Sequence, residues 1–375
     1  MNFGFEEEQE LLRREIRKFL DEQCPIERVR SIAQDPDGYE RAHWKQLAEL
    51  GWLGLIVPEA YGGAGLSWID AVVLFEETGR SLFPSPLVST VLAGATIADL
   101  GSDDQKRRWL PGLADGSRIG TIAFLEEHDR VGAAGIQLRG QPSGDGFLLT
   151  GEKHFVADVE QADLWVVPFR VGESEDAIGL AVVEGEQNGI SGRTLRSIDT
   201  TKRVGVLQLD AVRIGPEALL GRPGEAAPGF MRLLDRGAVA VTAEVIGAAE
   251  EALRITVEFA KQRVQFGHPI GHFQGVKHPL AEMYVEVESL KSLLYYAAWA
   301  LEEDPELGPV AVSRAKAYAA DAFTRIGIDG IQLHGGVGYT LEYDIQLYLK
   351  RSKWARSMYG DADYHHDRIA IARGL

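Results

Sequence analysis

Apolar residues recur at helical spacing through the first 116 residues of the chain. The first such face is formed by residues three, four and seven positions apart, namely Phe5, Leu12, Ile16 and Phe19. Side chains three and four residues apart lie on the same side of an α-helix. This spacing therefore predicts an N-terminal helical domain.

Two further helix starts are marked by polar residues that precede apolar runs. Ser67 and Asp70 have the spacing of a capping box, in which side chains bond the free backbone N–H groups at a helix start. Ser102 and Gln105 repeat this spacing before a second run. Pro111, which glycine follows, predicts the end of that second helix.

Between about residues 119 and 214 the apolar residues form short runs instead. These runs span residues 121–125, 147–150, 164–171, 178–183 and 204–209. Clusters of glycine, proline and aspartate separate them, which is typical of strands joined by turns. Because no long helices alternate with the runs, the pattern favours an antiparallel β domain over a nucleotide-binding fold of alternating strands and helices.

Long helical patterns return after Pro228. They span residues 228–264, 276–301, 310–333 and 341–358, with short breaks of proline and glycine. Long helices with short connections are typical of a helix bundle. The sequence thus predicts an α+β multi-domain chain. Its parts are an N-terminal α-helical domain (1–117), a middle antiparallel β domain (118–215) and a C-terminal four-helix bundle (216–375).

Composition and charge exclude several classes of protein. The 375 residues are 45% hydrophobic, so the chain can bury a large core and is not a disordered protein. The formal net charge of −17 argues against nucleic-acid binding. The single cysteine, Cys24, excludes an intramolecular disulfide and fits a reducing compartment. Because the N-terminus is acidic and no apolar run reaches the ~18 residues of a membrane span, we expect a cytoplasmic protein.

The histidines do not predict a metal site. His268 and His272 are four residues apart, but Pro269 and Gly271 lie between them, so one helix face does not hold both. The sequence also contains no serine-nucleophile elbow, no Walker phosphate loop and no CxxC motif.

Two segments carry candidate binding chemistry. Arg263 and Gln265 follow the longest predicted helix, where they can bind an anionic diphosphate through paired hydrogen bonds. An arginine that caps the C-terminus of the helix is the alternative interpretation. Residues 332–339 contain three glycines between two predicted helices. Glycines let a ligand approach the backbone closely, and they also suit a plain helix–turn–helix connection.

Together these segments resemble the acyl-CoA dehydrogenase family. The matching residues are 58–65, 151–153, 263–267, 269–270, 273–274 and 332–339, in the order and spacing of the family. The resemblance implies FAD as cofactor and desaturation of an acyl-CoA thioester between Cα and Cβ. A base takes the Cα proton and the flavin accepts the Cβ hydride. An electron-transfer flavoprotein is the implied electron acceptor.

The resemblance also implies the cofactor-binding residues. These are Arg263, Gln265, Phe273, Gln274, Gln332, Gly335 and Gly336. The first two correspond to contacts with the diphosphate of an FAD bound to a neighbouring subunit, and the next two lie near its adenosine. The last three form the loop that holds the same cofactor across a dimer. The site then requires an oligomer: a homodimer, a tetramer built from dimers, or a pair with a related subunit.

Two departures from the family pattern fall in the β domain. The usual Thr-Glu-Pro and Gly-Ser-Asp stretch is missing, and residues 123–129 stand near its place. The Trp-Ile-Thr segment over the flavin reads Phe155-Val156-Ala157. Phe155 can still stack on the flavin ring, whereas Ala157 lacks a hydroxyl. Loss of one hydrogen bond corresponds to about 0.5–1.5 kcal/mol.

The third departure concerns the catalytic base. The family's glutamate near the C-terminus aligns with Tyr359, and a tyrosine, whose ordinary pKa is ~10, is a poor base at neutral pH. Glu244 is the candidate instead, because it lies in an apolar stretch of the longest helix. The Ala-Glu-x-x-Gly pattern there resembles a branch of the family that acts on bulky thioesters and has a glutamate on this helix as base. Burial makes a carboxylate a stronger base.

Other interpretations of these carboxylates remain open. Glu244 could be a buried carboxylate that pairs with Arg236 or Arg254, since acidic residues are rarely buried without a partner or a role. Asp361 and Glu126 are further candidates for the base.

The sequence therefore predicts an FAD-dependent acyl-CoA dehydrogenase that acts on a bulky, branched or cyclic thioester, such as a steroid side chain. A first alternative is a non-catalytic or half-site subunit of a heteromeric dehydrogenase, which Ala157 and Tyr359 motivate. A second alternative is a flavin monooxygenase on the same fold, which also lacks the C-terminal glutamate.

Overall fold

The computed structural model describes residues 7–375 and has helices at both ends of the chain with strands between them. The helices are α1 Glu7–Gln23, α2 Ile26–Gln34, α3 Arg41–Glu49, α4 Trp68–Arg80, α5 Leu87–Leu100, α6 Asp103–Ala114, α7 Ala227–Gln262, α8 Gln274–Glu303, α9 Gly308–His334, α10 Ile345–Ser357 and α11 Ala362–Ala372. The strands are β1 Gly120–Ile122, β2 Gly140–Ser143, β3 Gly146–Ala157, β4 Leu164–Arg170, β5 Ile178–Glu184, β6 Ile190–Thr194, β7 Val204–Ile214, β8 Leu219–Leu220, β9 Val264–Gln265 and β10 His268–Pro269. The predicted fold class is confirmed.

The chain forms two compact units, each assembled from segments that are distant in sequence. The helical unit comprises Met1–Ser31, Trp68–Phe83 and Ala238–Leu375, and the mixed unit comprises Ile32–Ser67 and Pro84–Gly237. The domain boundaries predicted above are continuous in sequence, and they stay a prediction.

Helix α9 is the central element of the C-terminal part of the helical unit. It packs against α8, α10 and α11. Its buried residues are mostly small, among them Ala311, Ala315, Ala319 and Ala322. Small side chains let neighbouring helices approach closely, so three helices pack around one. In the part of the chain that the structure describes, no helix is both long enough and apolar enough to cross a membrane.

Helix α1 packs on α4 through the face that the sequence predicts. Ile16 is buried, as is Leu20 one turn later, while Leu12 and Phe19 are half-buried. Phe5, the first residue of the predicted face, lies outside the described residues. Few apolar side chains of α1 therefore take part in the contact with α4, and ion pairs described below also join the two helices.

Two four-stranded sheets form the β part of the mixed unit. Their strand orders are β1-β4-β5-β8 and β2-β3-β7-β6. All the pairs are antiparallel except β1 with β4, which is parallel. A parallel pair needs a long crossover, which the chain between β1 and β4 supplies by forming β2 and β3 of the other sheet.

Local details differ from the predictions in three ways. Helix α6 starts with the predicted Ser102–Gln105 capping box, but it continues past Pro111 to Ala114 because Trp109 and Leu113 are buried on its core face. Strands β2 and β6 contain no apolar run because they are edge strands in which no residue is buried. Helix α11 follows the predicted bundle as a fifth C-terminal helix.

Candidate active site

Glu244 lies where α4 and α7 cross with their backbones in contact. A Cβ added to Gly79 of α4 would lie 2.1 Å from the backbone oxygen of Glu244. A Cβ added to Gly247 of α7 would lie 1.8 Å from the backbone oxygen of Glu76. Both positions therefore require glycine, so the glycine of the Ala-Glu-x-x-Gly pattern has a packing role. Glu244 itself is 2% exposed, which makes it an interior carboxylate.

The two arginines considered as partners of Glu244 bond to other carboxylates. Arg236 forms an ion pair with Asp99. Arg254 forms two hydrogen bonds with Glu251, at 2.6 and 2.8 Å. Both arginines therefore have carboxylate partners without Glu244.

Glu126 belongs to a buried ion pair of the mixed unit. Lys153 donates to it from Nζ at 2.7 Å, and the backbone N–H groups of Gln137 and Leu138 donate at 2.9 to 3.1 Å. Burial lowers the pKa of Lys153 to about 8, although Glu126 opposes that shift. The Glu126 carboxylate thus joins three parts of the chain, which is a structural role.

Tyr359, which the resemblance aligns with the family's C-terminal glutamate, lies in a tightly held turn. The residue is 5% exposed, and its φ of +56° is in the left-handed region. His365 donates from Nε2 to the Tyr359 carbonyl at 3.1 Å, since a carbonyl only accepts. Lys316 donates from Nζ to three backbone carbonyls between residues 355 and 360, at 2.8, 3.1 and 3.1 Å. Burial lowers the pKa of Lys316 to about 7 and that of His365 to about 3.

Asp361 follows this turn and is exposed. Its carboxylate accepts the backbone N–H of Tyr364 at 2.9 Å and so caps the start of α11. The turn therefore holds a tyrosine at the position that the resemblance assigns to the base, and the carboxylate nearest to it along the chain, Asp361, has a structural role.

Arg263 and Gln265 lie in a short hairpin, formed by β9 and β10, that follows α7. Phe266 and Gly267 form its tip with φ values of +51° and +80°, a conformation that turns two strands back in two residues. Arg263 and Gln265 are exposed, and the Phe266 side chain is 90% exposed. Phe273 packs edge-on against Phe266 with ring centroids 6.2 Å apart. An aromatic ring left this bare is expected to contact a ligand or a partner chain.

The glycine-rich segment follows directly on α9. Gln332 is exposed, as are Gly335 and Gly336, and a Cβ on either glycine would meet no atom within 4 Å. His334 stacks on Phe259 near the end of α7, with ring centroids 4.4 Å apart and planes at 25°. This contact brings the glycine-rich segment next to the helix that leads into the hairpin. The two predicted cofactor segments of the helical unit therefore lie close together.

Phe155 lies on a bulge in β3. The register against β7 shifts between Lys153 and Val156, and Phe155 has a φ of +52° there. The bulge turns the ring outwards, so that 42% of the residue is exposed. Ala157 donates no side-chain hydrogen bond, and its carbonyl accepts the hydroxyl of Thr121 at 2.7 Å. A flat, exposed ring on a strand suits stacking on a flavin.

One charged cluster, between α1 and α4, was not predicted from the sequence. Arg13 of α1 donates to Glu76 of α4 at 2.7 Å. Arg17 donates to Glu77 at 2.7 and 2.9 Å, and Arg80 donates to Glu77 at 3.0 Å. Burial raises the pKa of Glu76 to about 7, against the effect of Arg13. Two sequence features could have predicted this cluster. They are a pair of glutamates inside an apolar helix and two arginines four residues apart on another helix.

The predicted cofactor residues fit an FAD chemically. Arg263 and the Gln265 amide offer exposed donors for a diphosphate, and Gly335 and Gly336 leave the backbone accessible. Helix α8 starts at Gln274, where its free N–H groups favour an anion. In the described range 7–375, no three histidine, cysteine, aspartate or glutamate side chains come together to hold a metal ion.

Comparison with known proteins places these features in a family. Models of the acyl-CoA dehydrogenase N-terminal and C-terminal domains match residues 6–117 and 228–374. Acyl-CoA dehydrogenase IpdE2 of Mycolicibacterium smegmatis is 31% identical over 357 residues, which cover 94% of this chain and 95% of that protein. A solved variant of the Tcur3481-Tcur3483 steroid ACAD has a TM-score of 0.89, 33% identity and 98% coverage of both chains. The ChsE4-ChsE5 complex from Mycobacterium tuberculosis has a TM-score of 0.91 and 26% identity, with 100% of this chain and 99% of that chain covered. The chain therefore belongs to the acyl-CoA dehydrogenase family, the FAD-binding oxidoreductases that act on acyl-CoA.

Proposed function

We propose that this chain desaturates a bulky acyl-CoA thioester between Cα and Cβ, with Glu244 as the base. The observation that carries the proposal is the pair of positions 244 and 359. Tyr359 supplies no carboxylate, whereas Glu244 is a carboxylate buried in the same unit. Likeness to a solved steroid ACAD supports the bulky substrate class.

Different side chains hold the cofactor and move the proton. FAD, when bound, supplies the acceptor for the hydride that leaves Cβ. Arg263 and Gln265 would hold the diphosphate of an FAD bound to a neighbouring subunit, and the backbone at Gly335 and Gly336 would admit that cofactor closely. Phe155 would stack on the flavin ring of its own subunit's cofactor. An electron-transfer flavoprotein would serve as the electron acceptor.

Glu244 takes the proton from Cα. The thioester carbonyl makes that proton acidic, and the interior position of Glu244 keeps water away from its carboxylate.

A second candidate function is one half of a pair of unlike subunits. The specific observations are Ala157, which has no hydroxyl to offer the flavin, and Tyr359, which replaces the usual base. The ChsE4-ChsE5 structure is a complex of two named chains and supports this arrangement. The exposed rings of Phe266 and Tyr339, at 90% and 83% exposure, support an oligomer of either kind.

Anaerobic mixing with acyl-CoA thioesters tests the proposal. Purified chain, yellow with FAD, should lose its flavin absorbance fastest with steroid-side-chain or cyclic thioesters and slowly with straight-chain butyryl-CoA. A protein that bleaches best with short straight chains would contradict the bulky substrate. A colourless, inactive chain that a related subunit rescues would establish the two-subunit alternative.

A further inference from the structure

The segment around the hairpin has an unusual charge pattern for so acidic a protein. The chain has 56 aspartates and glutamates, yet residues 259–281 contain none. The titratable groups between Glu258 and Glu282 are Lys261, Arg263, His268, His272, Lys277 and His278. Acidic residues are thus absent where the predicted diphosphate contacts lie, which favours binding of an anion.

Two of these histidines form a stacked pair beside the hairpin. The rings of His268 and His272 have centroids 4.6 Å apart and planes at 20°, and both residues are exposed. Phe273 packs edge-on against both rings, at 6.4 and 5.5 Å. The backbone N–H of Ile270 bonds to the Arg263 carbonyl at 2.8 Å, which ties the histidine segment to the arginine.

The stacked histidines have no carboxylate partner in the part of the chain that the structure describes. Glu258, on α7, pairs with Lys261 at 2.7 Å. Over the residues that the structure covers, neither histidine of the pair forms an ion pair, and the same holds for Arg263 and for Lys277 at the start of α8. His278, also on α8, is the only further titratable group of the segment. The stretch between Glu258 and Glu282 therefore offers an incoming anion only cationic side chains and histidines as titratable groups.

We propose that His268 and His272 are additional phosphate-binding groups beside Arg263, so that the chain holds the diphosphate of FAD more tightly as the pH falls through the histidine range. Histidine is the side-chain type whose charge changes between about pH 5 and about pH 8. Two stacked imidazolium ions repel each other, and a diphosphate with two negative charges removes that repulsion. Binding of the cofactor then takes up protons. The inference rests on the proposed contact between Arg263 and the diphosphate.

FAD retention as a function of pH tests the inference. The yellow protein is diluted into buffers from about pH 5.5 to about pH 8, and free FAD is measured in the ultrafiltrate. We expect the dissociation constant to rise about tenfold across this range, the effect of two exposed charge contacts of a few-fold each. The double variant His268→Gln/His272→Gln should bind FAD at about the weaker, high-pH level throughout. His366→Gln, which removes an exposed histidine of α11, should behave as wild type.

A variant with permanent positive charges distinguishes loss of the histidine charges from misfolding. His268→Lys/His272→Lys should hold FAD at the higher pH as tightly as the wild type does at the lower one. A wild type whose retention does not change with pH would overturn the inference, as would a double glutamine variant that keeps the change. Arg263→Met should weaken FAD binding equally at every pH. If Arg263→Met binds FAD as tightly as the wild type, the proposed contact between Arg263 and the diphosphate is wrong. The glutamine and lysine variants still decide whether the two histidines bind the cofactor.

Discussion

The ion pair of Lys153 and Glu126 gives a sharp test of whether Glu126 is structural. Lys153 is fully buried, and its Nζ lies 2.7 Å from a Glu126 carboxylate that also accepts two backbone N–H groups. Removing one partner of a buried pair leaves the other charge without compensation, which costs about 3–5 kcal/mol. We therefore expect Lys153→Met to lower the free energy of unfolding by about that amount. Glu126→Gln should lower it by about 3 kcal/mol.

The double variant distinguishes a pair from two independent side chains. In Lys153→Met/Glu126→Gln no charge is buried, and the amide oxygen still accepts the two backbone N–H groups. The combined loss should then be about 1–2 kcal/mol, well below the sum of the single losses.

Urea unfolding at fixed FAD concentration, followed by circular dichroism, measures all three variants. Glu173→Gln is the matched control, because it breaks an exposed ion pair with Arg139 in the same unit and should leave the midpoint unchanged. Single losses that add in the double variant would refute the reasoning. So would a Glu126→Gln protein of full stability that no longer reduces its flavin with substrate, since Glu126 would then be catalytic.

Three further predictions concern packing, pH and the flavin. Gly247→Ala should cost about 3 kcal/mol in urea unfolding, because its Cβ would lie 1.8 Å from the Glu76 oxygen, while Gly275→Ala in open space should change stability by less than about 0.5 kcal/mol. Burial lowers the pKa of His365 to about 3 in the folded chain, against the ordinary histidine value of ~6.5, so the unfolded state binds more protons in acid. Unfolding free energy should thus fall by about 1.4 kcal/mol per unit from about pH 6.5 down towards about pH 3, and His365→Gln should remove this contribution. Phe155→Ala should raise the dissociation constant for FAD about fivefold in a fluorescence titration, with unchanged unfolding.

Periodicity predicted the fold well where one face of an element is buried. The helix now seen as α7 was predicted as 228–264 and spans Ala227–Gln262, and the strand predicted as 164–171 spans Leu164–Arg170. Edge strands such as β6 were missed because both their faces are polar, so the sequence carries no alternation there. Pro111 did not end α6, since burial of Trp109 and Leu113 outweighs one lost backbone hydrogen bond.

The candidate site was predictable only as far as its motifs are local. Arg263 and the glycines at 335 and 336 are exposed and accessible, as a cofactor segment requires. Contacts between residues that are far apart in the sequence leave no local sequence pattern from which they can be predicted. The pairing of Lys153 with Glu126 and the stack of His334 on Phe259 depend on the folded chain. The left-handed backbone of Phe155 likewise arises from strand pairing.

The central claim is that Glu244 removes the Cα proton, and the reductive half-reaction of Glu244→Gln tests it most directly. The variant keeps the size of the side chain, and Glu250→Gln, on the same helix, controls for loss of a carboxylate. Anaerobic stopped-flow mixing with a good acyl-CoA substrate measures the rate of flavin bleaching. We predict a rate about 10³-fold below wild type for Glu244→Gln, with normal FAD content and normal unfolding, and a wild-type rate for Glu250→Gln. A Glu244→Gln protein that bleaches at the wild-type rate would contradict the account.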